Sequence, residues 1–137
     1  AKFPADDPIP LVDADGFNIL ELFHGPTGAF KDVALSVLPV FMTAAAQGKR
    51  VLILTATSGD TGSAAMAGFA NVPGVEIAVF FPHTGTSRIQ RLQMTTPSAP
   101  NVHGIAIRGN FDPVVRVTAA DVARAATIKR KVRYVVE

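Results

Sequence analysis

Val51-Leu52-Ile53-Leu54-Thr55 is an unbroken apolar run, and it is followed at once by Ala56-Thr57-Ser58-Gly59-Asp60-Thr61-Gly62. A strand that is apolar on both faces has to be covered on both, which is the situation of a strand inside a parallel sheet. The chain downstream fits that demand. A helix is predicted from about Thr61 to Ala70, Asn71-Val72-Pro73-Gly74 turns the chain back, and Val75 to Phe80 forms the next strand. Ser87 and Gln90 then have the spacing of a capping box at the start of a third helix. Asn101 to Ile107 reads as a further strand closed by Gly109. Strands alternating with helices through short connections predict an α/β fold. Its sheet is parallel with right-handed crossovers and helices on both faces, a three-layer αβα arrangement.

Upstream, prolines and aspartates crowd the start of the chain and suggest an extended arm over residues 1–18. Short strands are expected at Ile9–Val12 and Ile19–Phe23, on either side of the turn Asp13-Ala14-Asp15-Gly16. Asp32 to Gln47 has helical length and ends at Gly48, and it is apolar on nearly every side, so it is expected to be buried. Pro39 inside it predicts a kink or a later start. Downstream, Asp112-Pro113 resembles a helix N-cap and first residue, although the valines that follow allow the start to slip toward Thr118. Residues 19–126 are thus expected to form the αβα domain. Residues 127–137 are expected to form a basic tail or, through Val132 to Val136, a terminal strand.

Composition excludes several classes. The chain has 137 residues, 48% apolar and 18% charged, enough for one domain core and under-charged enough to leave room for an interface. Its formal charge of +2 does not by itself imply nucleic acid. The cluster Lys129-Arg130-Lys131-Arg133 reads as surface or terminal junction rather than a nucleic-acid patch, since no aromatic platform accompanies it, and a nucleic-acid partner is not expected. The absence of cysteine removes disulfides, thiolate nucleophiles and cysteine-bound metals, and it is compatible with a reducing cytoplasm, the expected location. The first residues lack the apolar segment of a signal peptide, no apolar run is long enough to span a membrane, and no membrane association is expected. His24, His83 and His103 are widely spaced without carboxylates at ligand intervals, so no metal is expected.

Chemistry concentrates in two loops at strand-to-helix junctions. Phe23-His24-Gly25-Pro26-Thr27-Gly28-Ala29-Phe30-Lys31-Asp32 puts a lysine at the start of a helix, after backbone freedom and then rigidity, with Phe30 as an aromatic wall. A buried lysine there suits Schiff-base chemistry. The competing reading is a surface lysine paired with Asp32. Ser58-Gly59-Asp60-Thr61-Gly62-Ser63 opens a helix directly after a strand, and its hydroxyls and free amides can hold a carboxylate or a phosphate. Asp60 repels anions unless it is protonated, faces a cationic group or points elsewhere. The loop lacks the Gly-Lys-Ser/Thr ending of a P-loop and the glycine spacing of dinucleotide binders. Arg88 and Arg91, on the third helix, either meet a substrate phosphate or form a solvated face. His24 and His83 sit in loops at strand ends, where a site role stays open. His103 lies in a strand and reads as structural.

The stretch Leu22 to Asp32 resembles the lysine motif of the threonine synthase family, pyridoxal-phosphate enzymes of the tryptophan-synthase-beta (type II) group. The resemblance continues in order through Ala56 to Ala65, Pro82-His83, Gln90 to Thr96, Asn101-Val102-His103 and Gly109 to Asp112. It implies that Lys31 carries pyridoxal phosphate as an internal aldimine and moves protons, and that Phe30 and Asp60 also lie against the cofactor. It further implies that Thr57, Ser58, Gly59 and Thr61 grip the substrate carboxylate and that Arg88 meets substrate. The implied reaction turns O-phospho-L-homoserine and water into L-threonine and phosphate. Gly28 departs from the family, which commonly has a bulky aliphatic residue there. Family members run to several hundred residues, and the parts implied to hold the cofactor phosphate and face the pyridine nitrogen lie outside this sequence. The expectation is therefore a small, mobile domain with little activity alone, completed by a large domain or a companion chain. A different class of reading is a non-catalytic αβ domain that retains the motifs and binds an anion or a partner.

Overall fold

The computed structural model describes residues 2–3, 6–108 and 135–136. The first elements form a hairpin, β1 (Leu11–Ala14) and β2 (Phe17–Leu20), paired antiparallel with Leu11 opposite Leu20 and Ala14 opposite Phe17. Asp15 at φ 51° and Gly16 at φ 83° are both left-handed, the backbone of a primed turn whose twist matches the strands it joins. That turn sets the register. The strands therefore sit closer to it than the apolar residues at Ile9–Val12 and Ile19–Phe23 suggest, and the hairpin crosses the boundary drawn after residue 18.

Among the described residues, three helices and a parallel sheet follow: α1 (Lys31–Ala46), β3 (Val51–Ala56), α2 (Asp60–Phe69), β4 (Val75–Pro82), α3 (Arg88–Thr95), β5 (Val102–Ile107) and the two-residue β6 (Val135–Val136). The sheet order is β3-β4-β5-β6, all parallel, with Val51 beside Val75, Ile77 beside Val102 and Ala106 beside Val135. This is the expected α/β fold, a parallel sheet flanked by helices in a three-layer αβα arrangement. The helix expected near Asp112 or Thr118, and the basic tail apart from Val135 and Val136, lie outside the described residues.

Alternation along the strands divides the core. Ile77, Val79 and Phe81 of β4 and Val102 of β5 pack on one face against Ala65, Met66 and Phe69 of α2 and Met94 of α3, with Leu35 and Met42 of α1 behind them. Ala78, Phe80 and Ile105 form a second buried cluster on the other face, joined by Leu54 and Ile107. Asn101 ties the first layer together from inside. Its amide donates to the carbonyls of Phe69 and Val75, both at 2.9 Å, and its oxygen accepts from the Asn71 amide at 2.8 Å. These are the last carbonyl of α2, the first of β4 and the turn between them.

Two features of α1 differ from expectation. The helix does not start late: it spans Lys31–Ala46 with Pro39 inside it. Proline lacks the amide that would bond the Leu35 carbonyl, and α2 approaches at that point. A Cβ on Gly68 would collide with the Leu35 carbonyl oxygen, so the two helices touch backbone to backbone where the missing amide leaves that oxygen free. Nor is α1 buried on nearly every side. Pro39 is buried, while Val37, Leu38, Val40 and Phe41 are exposed, Phe41 at 68%. An apolar sequence says that a helix face wants cover, but not whether the cover lies in the same stretch of chain.

Gly68→Ala is expected to push α1 and α2 apart and cost about 1–3 kcal/mol, the usual range for overpacking, read from urea unfolding. Asn101→Ala strands two buried carbonyls and an amide and is expected to cost on the order of 3 kcal/mol. An unchanged midpoint for either variant contradicts the corresponding contact.

Candidate active site

Lys31 is the first residue of α1 and is half-buried. Phe30, at the N-cap, has helical dihedrals and makes no side-chain cap. Its exposed ring lies under the lysine, with Nζ 4.3 Å from the ring centroid. Such a contact is worth about 0.5–1 kcal/mol at an exposed position, enough to bias where the amine rests without locking it there.

Asp32 is not the lysine's partner. It is 1% exposed, and both of its oxygens turn back to Thr27, one accepting from the backbone amide at 2.8 Å and the other from the hydroxyl at 2.7 Å. Gly25 packs so closely on this carboxylate that a Cβ there would overlap it. The turn closes through the Gly28 amide, which donates to the Gly25 carbonyl at 3.2 Å. Gly28 has φ 73°, a left-handed conformation that glycine adopts freely. The surface-pair reading of Lys31 and Asp32 therefore gives way to a clamped turn with the lysine at its exit.

The second loop follows β3. The Thr57 amide donates to Phe80 O at 2.9 Å, which carries the sheet pairing one residue past the strand. Thr57 is buried, and its hydroxyl oxygen accepts from the amides of Gly59 at 3.0 Å and Gly62 at 3.3 Å. It thus braces the start of α2 from below. Ser58, Asp60 and Thr61 are exposed and Gly59 is buried. A helix leaves its first amides without internal partners, so Asp60 and Thr61 present donors at the positive end of α2, beside two exposed hydroxyls. Asp60 resolves the awkwardness of a carboxylate in an anion loop. Its Oδ1 accepts from Gln90 Nε2 at 2.7 Å, so it points toward α3.

The start of α3 is the expected capping box: the Gln90 amide donates to Ser87 Oγ at 3.2 Å, and the Ser87 amide donates to Gln90 Oε1 at 3.2 Å. Arg88 and Arg91 are exposed, and neither forms an ion pair among the described residues. One turn on, Gln93 Nε2 donates to the Thr27 carbonyl at 3.0 Å. Gln93 and Thr27 escape a reading of sequence as site residues because 66 positions separate them. The signal that was available is the spacing of Gln90 and Gln93, three apart and so on one side of a helix.

The histidines sort differently. His24 Nε2 lies 2.6 Å from Glu21 Oε2 with its ring against Phe23, just before the lysine turn. The His83 amide donates to Ile107 O at 2.8 Å and prolongs the β4–β5 pairing. His103, in β5, is bonded to Glu76 at 3.0 Å on the sheet surface, in keeping with a structural role. No group of His, Cys, Asp or Glu among the described residues is arranged to hold a metal.

Comparison with known proteins adds the lineage. A scan of protein-family models found no match. A threonine synthase of Pseudomonas aeruginosa is 45% identical over 130 residues, covering 93% of this chain. One of Schizosaccharomyces pombe is 46% identical over 108 residues, covering 72% of this chain. At family level, the chain belongs with the threonine synthases. A PLP-bound threonine synthase from Brucella melitensis superposes with a TM-score of 0.80 at 37% identity over 99% of this chain. The yeast threonine synthase gives 0.73 at 34% identity, also over 99%. The chain spans 28% of the length of the Pseudomonas threonine synthase and 30% of the Brucella chain.

Asp32→Ala removes both acceptors of Thr27 and is expected to destabilise the chain by about 2 kcal/mol while speeding amide exchange at residues 27–29. Wild-type protection at those amides in the variant would contradict the clamp.

Proposed function

We infer that this chain is the lysine-bearing part of a threonine synthase, acting with pyridoxal phosphate on O-phospho-L-homoserine and water to give L-threonine and phosphate in the cytoplasm. The observation that carries the reading is the arrangement of the two loops. The turn ending at Lys31 and the loop from Thr57 to Thr61 are each bonded to the same helix, α3, within a fold matched over 99% of the chain by a PLP-bound threonine synthase.

The donor set fits an aldehyde cofactor and an amino-acid substrate. Lys31 offers a primary amine on a half-exposed turn beside the Phe30 ring, and the cofactor, when bound, supplies an electron sink for carbanions. Held at the exit of a clamped turn, Lys31 is suited to take and return a proton at adjacent substrate carbons, because its four-carbon stem moves while its base is fixed. The Ser58 and Thr61 hydroxyls and the first amides of α2 suit a substrate carboxylate, with Gly59 giving the backbone room. Thr57 acts from behind, since its hydroxyl oxygen is committed to the Gly59 and Gly62 amides. Asp60, whose carboxylate accepts from Gln90, is assigned to the cofactor in this reading. Arg88, exposed at the start of α3, suits the substrate phosphate.

A larger companion domain completes the site in this reading. The open apolar side of α1 supports it, because Val37, Leu38, Val40 and Phe41 together make a surface of the kind that proteins cover. The second reading, a non-catalytic domain that binds an anion or a partner, draws on that same surface and on the 28% share of the Pseudomonas relative.

Pyridoxal phosphate followed by borohydride is expected to label the 137-residue chain at Lys31, and Lys31→Ala is expected to abolish the label, both read by peptide mapping. Label spread over other lysines favours the non-catalytic reading. The chain alone is expected to release no threonine from O-phospho-L-homoserine above background, and steady turnover would sink the idea that a companion domain is needed.

A further inference from the structure

We propose that Gln93 and Gln90 are positioning residues, and that α3 acts as a crossbar holding the lysine turn and the 57–61 loop at a fixed separation. The proposal takes its chemical meaning from the role given to Lys31 above, but the mechanical link stands on its own contacts.

Three observations carry it. First, Thr27 has every polar atom engaged: its amide and hydroxyl are bonded to Asp32 and its carbonyl to Gln93 Nε2. Asp32 alone fixes the turn to its own helix, α1. Among the described residues, only the Gln93 bond ties it to an element across the site. Secondly, Gln90 divides its side-chain amide. The oxygen closes the capping box on the Ser87 amide, and the nitrogen reaches Asp60 at 2.7 Å. The same side chain covers Gly59, where a Cβ would strike its terminal amide, so a larger residue there would have to displace the glutamine from this position. Thirdly, the two glutamines sit three apart on a short helix whose Met94 is buried in the core at 1% exposure. A helix anchored by Met94 from below and holding one loop through each glutamine cannot let either loop shift alone.

The tests use the 137-residue chain and substitutions that spare α3. Gln93→Met keeps length and helix propensity but removes the donor. Gln93→Lys restores a donor of similar reach. Gln90→Glu keeps a residue favoured in capping boxes but loses the donor to Asp60. Gln93→Met is expected to speed amide exchange at residues 27–29 and to cut borohydride-fixed pyridoxal phosphate at Lys31 about threefold to tenfold, the range one lost hydrogen bond corresponds to. Protection within α3 and the unfolding midpoint should stay near wild type. Gln93→Lys should recover both readouts, which a merely structural role would not require. Gln90→Glu should loosen residues 58–61 first.

Wild-type exchange and labelling in Gln93→Met would overturn the proposal. So would a loss accompanied by general unfolding of α3, or one that Gln93→Lys leaves unrepaired. If the wild-type chain takes no label at Lys31, the cofactor reading fails while amide exchange at 27–29 still decides the crossbar.

Discussion

Parallel pairing of β3, β4 and β5 is the constraint from which the rest of the site follows. With Ala56 beside Phe80 and the Thr57 amide bonded to the Phe80 carbonyl, both strands finish on the same edge of the sheet. The helices that continue them, α2 and α3, must then begin side by side. Loops beyond the carboxyl ends of parallel strands are where open α/β sheets form their clefts. Here that edge collects the free amides of α2, the capping box of α3 and, through Gln93, the lysine turn. An antiparallel sheet of the same strands would send alternate loops to opposite edges and break the assembly.

The sheet lets α3 approach, but side-chain size decides how near it comes. Gly59 lies under the Gln90 amide, and Gly25 lies against the Asp32 carboxylate, both without room for a Cβ. Close approach costs conformational entropy in the unfolded chain, and hydrogen bonds of Gln90 to Asp60 and Asp32 to Thr27 offset it. The glycines of these two motifs therefore serve packing as much as loop conformation.

Much of this was legible in the sequence. The apolar run at 51–55, the turn at 71–74 and the Ser87–Gln90 spacing are local signals with local causes, and the strands and the cap lie where they point. What lies beside Pro39 in α1 was not legible. Proline leaves the Leu35 carbonyl without its helical donor, and Gly68, far away in the chain, packs against that oxygen. Asp60 is a similar case. In sequence it is a carboxylate within an anion loop, and only the distant Gln90 reveals which way it turns. The pairing of Lys31 with Asp32 failed for the opposite reason. Adjacent residues on a helix do not face each other, and Asp32 found a better partner in the turn behind it.

Lys31 gains its meaning from what fixes its neighbours. A lysine stem costs about 2 kcal/mol of rotamer freedom to immobilise, and the Phe30 contact is too weak to meet that cost. The amine therefore stays mobile over a base that does not move: Asp32 buried below, Thr27 saturated with hydrogen bonds behind, and Gln93 across the site. In the role proposed for Lys31, proton transfer between adjacent carbons would call for that division, since the carrier must swing while its pivot stays within reach of both positions. A fully rigid lysine would serve one carbon, and a loose turn would serve neither well.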